Sequence, residues 1–145
     1  MKVLFLGLMF IIMHIPSRTQ TLPEWQRVYT FDESFIELNT NYVMFSNNKT
    51  ERVRFRWTFN TPQGLSQKPE LQYQSILEEI AFDCRNDKFR VYNIQWYDAK
   101  GKLLLTESRK SSEEWQGVDG GMLWKLFAPA CKLIEFRKRK PPLQQ

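Results

Sequence analysis

The sequence predicts an α+β fold: a single antiparallel sheet of about six strands with a C-terminal helix packed on one face and tied to it by a disulfide. Three observations carry this. Between Arg52 and Phe59 the apolar Val53, Phe55, Trp57 and Phe59 alternate with Arg52, Arg54, Arg56 and Thr58, the period-two signature of a half-buried strand. From Met122 the period changes, and Leu123, Phe127 and Cys131 recur four apart, on one helical face. The cysteines, Cys84 and Cys131, fall after a strand pattern and at the expected end of that helix, so a bond between them would staple the two layers.

The chain opens with Lys2, an apolar run from Val3 to Ile15 broken by Gly7 and His14, then Ser17, Arg18 and Thr19. That is the pattern of a secretory signal peptide over residues 1–19, and at about 13 residues the run is shorter than the roughly 20 that span a bilayer. No later stretch approaches that length, so no transmembrane segment is expected. The domain then occupies residues 20–136. Trp25 to Phe31 and Ser34 to Phe45 read as strands, with Asn47 and Asn48 turning into the Arg52 strand.

Pro62, Gly64 and Pro69 make Asn60 to Glu70 an expected surface loop. A strand is expected from Ile80 to Cys84, with helix an open alternative for Gln72 to Glu79. Phe89 to Tyr97 and Lys102 to Glu107 form a hairpin in which Gly101 supplies a positive φ. Asp119 is the expected N-cap of the final helix, ahead of Gly120 and Gly121. Pro129 would kink that helix or end it, and if it ends there Leu133, Ile134 and Phe136 form a short closing strand. Residues 137–145 read as a basic, proline-containing tail, Arg137-Lys138-Arg139-Lys140 before Pro141 and Pro142.

Charge concentrates at the ends. Lys2, Arg18 and the run from Arg137 to Lys140 hold six of the 21 basic residues, against 16 acidic ones, so the net +5 leaves the body of the domain nearly neutral. Removal of the leader also removes His14, the single histidine. A mature chain without imidazole excludes Ser-His-Asp and Cys-His catalysis and histidine-ligated zinc or haem. Two thiols without CxxC spacing make a poor zinc cage, so neither metal nor cofactor is expected. Export into an oxidising compartment favours a Cys84–Cys131 disulfide, whose loop of nearly fifty residues restricts the unfolded chain by about 4 kcal/mol.

Asp83-Cys84 at a strand end, a hairpin with Asp98 and Gly101, then Trp115, Val118, Gly121, a helix and Ala130-Cys131 resemble the bacterial surface-adhesin protein E family, from Trp25 to Cys131. The resemblance implies an exported bacterial protein, periplasmic or extracellular, with a sheet, a C-terminal helix and a disulfide joining them. It also implies adhesion to host proteins. The family's adhesins are typically lipid-anchored, whereas this sequence has no cysteine before Cys84 to serve as a lipoprotein cysteine.

The residues themselves point to a non-enzymatic binding module. Adjacent carboxylates such as Glu78 and Glu79 point to opposite faces of a strand, so they do not form a catalytic dyad. Arg52, Arg54 and Arg56 share one strand face, where they present a cationic surface or pair with Glu or Asp on neighbouring strands. With Tyr92 and Trp96 they are the expected binding residues, for an acidic protein patch or an anionic glycan; export argues against nucleic acid. The alternative is a periplasmic small-ligand or lipid carrier, with an apolar pocket between helix and sheet built from Trp57, Trp96, Trp124 and Phe127.

Overall fold

Alternation along the chain becomes six strands laid side by side in sequence order. They are β1 (Trp25–Thr30), β2 (Ser34–Phe45), β3 (Glu51–Leu65), β4 (Lys68–Asp83), β5 (Lys88–Tyr97) and β6 (Leu103–Ser108), each antiparallel to its neighbours. A two-residue strand, β7 (Gln116–Gly117), adds to β5 at Lys88 and Phe89, and α1 (Gly121–Arg139) completes the chain. This computed structural model describes residues 24–45, 51–109 and 114–139. The expected leader at residues 1–19 and the turn expected at Asn47 and Asn48 lie outside the described residues.

The period-two pattern sorts the sheet into two faces. Ile36 and Leu38 of β2, Val53 and Phe55 of β3, Ile80 and Phe82 of β4 and Phe89 of β5 are buried on one of them. Against them α1 lays Leu126, Phe127, Ala130, Leu133 and Ile134, spaced three and four apart on one helical stripe. Each such Leu, Ile or Phe stabilises the domain by roughly 1.5–3 kcal/mol through its lost apolar surface. The helix packs over β1 to β4. The Cys84–Cys131 disulfide fastens it there, with Cα atoms 5.8 Å apart. Cys131 lies in the middle of α1, not at its end.

The strands run further than the turn residues suggest. The expected loop at Asn60–Glu70 is instead the continuation of β3 and the start of β4, joined by a tight turn at Ser66 and Gln67. Its prolines are accommodated where the ladder is interrupted: Pro62 falls in the register break between Thr58 and Gln63, and Pro69 in the break between Leu65↔Lys68 and Gly64↔Gln72. A missing N–H costs little where no ladder bond is required. The helical alternative for Gln72–Glu79 is likewise replaced by strand, because β4 is paired on both sides, to β3 and β5. The hairpin after Tyr97 forms as expected: Gly101 has φ +79°, and the Asp98 carboxylate accepts from the N–H groups of Lys100 and Lys102.

The C-terminal segment also departs from expectation. Helix α1 passes through Pro129 without ending, so Leu133, Ile134 and Phe136 are helical and form no closing strand. Pro129 removes one hydrogen bond, whereas Ala130, Leu133 and Ile134 beyond it are buried against the sheet. Arg137, Lys138 and Arg139 belong to the last turn, where cations complement the helix dipole. At the other end Gly120 and Gly121 enter the helix at φ +78° and +68°. Asp119 does not cap it; its carboxylate stands 3.0 Å from where a Cβ at Gly117 would be.

Candidate functional site

The face turned away from α1 carries the arginine row. Register fixes its neighbours: Arg52 pairs with Ala81, which pairs with Arg90; Arg54 with Glu79; Arg56 with Glu37 on one side and Leu77 on the other. Arg27 of β1 in turn pairs with Glu37. Directly paired residues share a face, so five arginines and two glutamates meet across the middle of this surface.

Each guanidinium of the row is set over an aromatic ring. Arg52 lies 3.6 Å from the centroid of Tyr92, Arg54 3.8 Å from Tyr42 and Arg56 4.2 Å from Trp25, and Arg27 stands 3.7 Å over Phe35. The negative ring face attracts the cation while the planar group keeps its N–H edges for hydrogen bonds. Glu79 accepts from Arg52 at 3.2 Å, from Arg54 at 3.5 Å and from the Tyr42 hydroxyl at 2.9 Å. Glu37 receives both Nε and Nη2 of Arg56, at 3.0 and 2.7 Å. Burial, and then the bond to Glu79, push the Tyr42 hydroxyl above its ordinary pKa. The carboxylates are more covered than their partners: the Glu79 side chain is 12% exposed, Arg54 40%.

Two open hollows of about 420 and 240 Å³ adjoin at Arg56, Ser75 and Gly101. One is lined both by Trp25 of the first strand and by Tyr97 at the end of the fifth. The sheet therefore curls so that its arginine side is concave, with the β5–β6 turn forming part of the wall.

Arg52, Arg54, Arg56 and Tyr92 are thus brought together, and Trp96 is not. Trp96 pairs with Ile76, which pairs with Trp57, placing it on the helix side of the sheet. The arginines are paired as well as exposed. Sequence reasoning did not reach their partners Trp25, Tyr42, Glu37 and Glu79, since partner identity depends on strand register. Glu78 and Glu79 do take opposite faces, Glu79 among the arginines and Glu78 under the helix side. A cavity does lie between helix and sheet, and Trp57 lines it, but Trp96, Trp124 and Phe127 do not. Trp124 is 55% exposed on the outside of α1, stacked on Phe127.

Residues 25–132 match the family model of surface-adhesin protein E. The chain belongs to the surface-adhesin protein E family. The matched span begins with the first residue of β1 and closes just after Cys131, so the adhesin E domain takes in the whole sheet, the disulfide and the first half of α1. Arg137 to Arg139 lie beyond it. No curated protein matches the chain. Membership points to a surface-located binding protein, and among the described residues no helix is long and apolar enough to cross a membrane.

Proposed function

We propose that this chain is an exported, non-enzymatic adhesion module, its signal peptide at residues 1–19, which holds an acidic macromolecule on the concave face of the sheet. The observation that carries the reading is the set of guanidiniums already seated on aromatic rings. Ordering a long arginine side chain costs entropy at the moment of binding, and rings that hold Arg52, Arg54 and Arg56 in place reduce that cost. Glu37 and Glu79 balance part of the charge of Arg27, Arg52, Arg54 and Arg56, and the surplus favours an anionic partner such as a sulfated or carboxylated glycan, or an acidic protein segment. Arg54 and Arg56, 40% and 38% exposed, are the contacts and Tyr92 the support.

The test is binding of the oxidised chain to heparin and to a poly-glutamate peptide over a salt series. The Arg54→Ala/Arg56→Ala variant is expected to lose about tenfold in affinity for one of them and to show a shallower salt dependence. Affinity and salt slope unchanged in a variant that still unfolds cooperatively would remove this face from the binding surface.

A further inference from the structure

On the opposite side of the sheet, beneath the first half of α1, lies a partly enclosed cavity of about 160 Å³ whose lining includes Ile36, Phe55, Trp57, Glu78, Met122 and Leu126. An apolar cavity of roughly 150 Å³ is enough to hold benzene. This one is not wholly apolar. Trp57 Nε1 is buried, and among the described residues it meets no acceptor. Glu78 faces this side because its paired neighbours are Phe55 and Ile94, and among the described residues no donor hydrogen-bonds its carboxyl. Burial pushes the Glu78 pKa up against the pull of Arg109. Trp57 pairs with Ile76, two residues before Glu78 on β4, so indole and carboxyl are diagonal neighbours on one face.

Trp57, with its buried indole N–H, and Glu78, whose carboxyl receives no hydrogen bond from the described residues, line the same cavity, and together they define a complement. We propose that the cavity is a binding site for a small, ring-sized apolar molecule bearing a hydroxyl, of the phenol class. One hydroxyl accepts from the Trp57 N–H and donates to the Glu78 carboxyl, whereas an ammonium has no acceptor and a hydrocarbon has neither. The same group also suits a protonated Glu78, which retains an acceptor oxygen. The ring lies against Phe55, and Met122, flexible and polarizable, closes over it. This site shares no residue with the arginine face and stands or falls independently of the adhesion reading.

The test titrates p-cresol and p-xylene, matched in shape, into the full disulfide-bonded chain, read by calorimetry and by the indole N–H resonance of Trp57. p-Cresol is expected to bind about tenfold more tightly than p-xylene, the worth of one or two net hydrogen bonds, and to shift that resonance. Trp57→Phe should erase the preference and leave p-xylene binding in place; Glu78→Leu should do the same. Equal affinity for the two probes, or tighter binding of benzylamine than of p-cresol, overturns the hydroxyl assignment, and no binding of any probe overturns the site. If neither variant folds, the wild-type comparison decides alone. The Arg54→Ala/Arg56→Ala variant should bind p-cresol as the wild type does.

Discussion

Arg137, in the last turn of α1, donates from Nε and Nη2 to the carbonyl of Thr40, at 3.1 and 2.6 Å. Thr40 is buried and lies in the register break of β2 between Leu38 and Val43, so a side chain from the far end of the chain supports a place where the β2–β3 ladder is interrupted. Lys138 next to it pairs with Glu51 at the start of β3. Arg137→Ala should therefore lower unfolding free energy by about 1–3 kcal/mol, as expected for charge-assisted bonds to a buried carbonyl. Lys138→Ala, whose side chain is 53% exposed, should cost under about 1 kcal/mol. Urea denaturation of both variants checks the order.

Pro129 interrupts one bond in the middle of a helix that continues for another ten residues' worth of packing and charge, through Leu133, Ile134 and Arg137. Pro129→Ala restores an N–H to the Lys125 carbonyl. Stability should rise, by at most about 3 kcal/mol, the helix-interior difference between the two residues. A fall in thermal midpoint would mean that the proline ring's own packing outweighs the bond it removes.

Glu79 serves Arg52, Arg54 and Tyr42 together. Glu79→Gln should destabilise the domain by about 1–2 kcal/mol, discounted from a buried pair because both arginines reach solvent. It should also bring the Tyr42 hydroxyl down toward the ordinary value of 10.0, since its bond to Glu79 and the charge there both hold it up. Phenolate absorbance, with Tyr42→Phe as the reference, reads that change.

Glu78 supplies a pH dependence of known sign. Its pKa in the folded chain lies above the ordinary glutamate value of 4.5, so the folded state holds the proton more tightly than the unfolded one. The associated stability is complete below the unfolded value and is lost as pH rises through the folded value. Glu78→Gln should remove this loss, so the variant gains on the wild type as pH is raised from 4 to 8. Parallel stability curves across that range would show that Glu78 is not desolvated.

Much of the fold was legible because its cause is local. The alternation at Val53, Phe55 and Trp57 assigns a face to each residue of β3, and the four-residue spacing of Leu123, Phe127 and Cys131 assigns a helix. The Asp98–Gly101 turn follows from the one residue that takes a positive φ there without strain. The opposed faces of Glu78 and Glu79 needed only strand geometry.

The errors share a different cause. Pro62, Gly64 and Pro69 signal a loop when taken one at a time, yet the sheet places both prolines at breaks in its ladder, and no local pattern announces where two distant strands fall out of register. Pro129 signals a helix end until the burial of residues beyond it is known. The site divides in the same way. That Arg52, Arg54 and Arg56 share a face was fixed by their spacing in the sequence. That Trp25, Tyr42 and Tyr92 lie under them, that Glu37 and Glu79 answer them, and that Trp96 lies on the other side were decided by tertiary structure alone, because each depends on strand pairing between segments far apart in the chain.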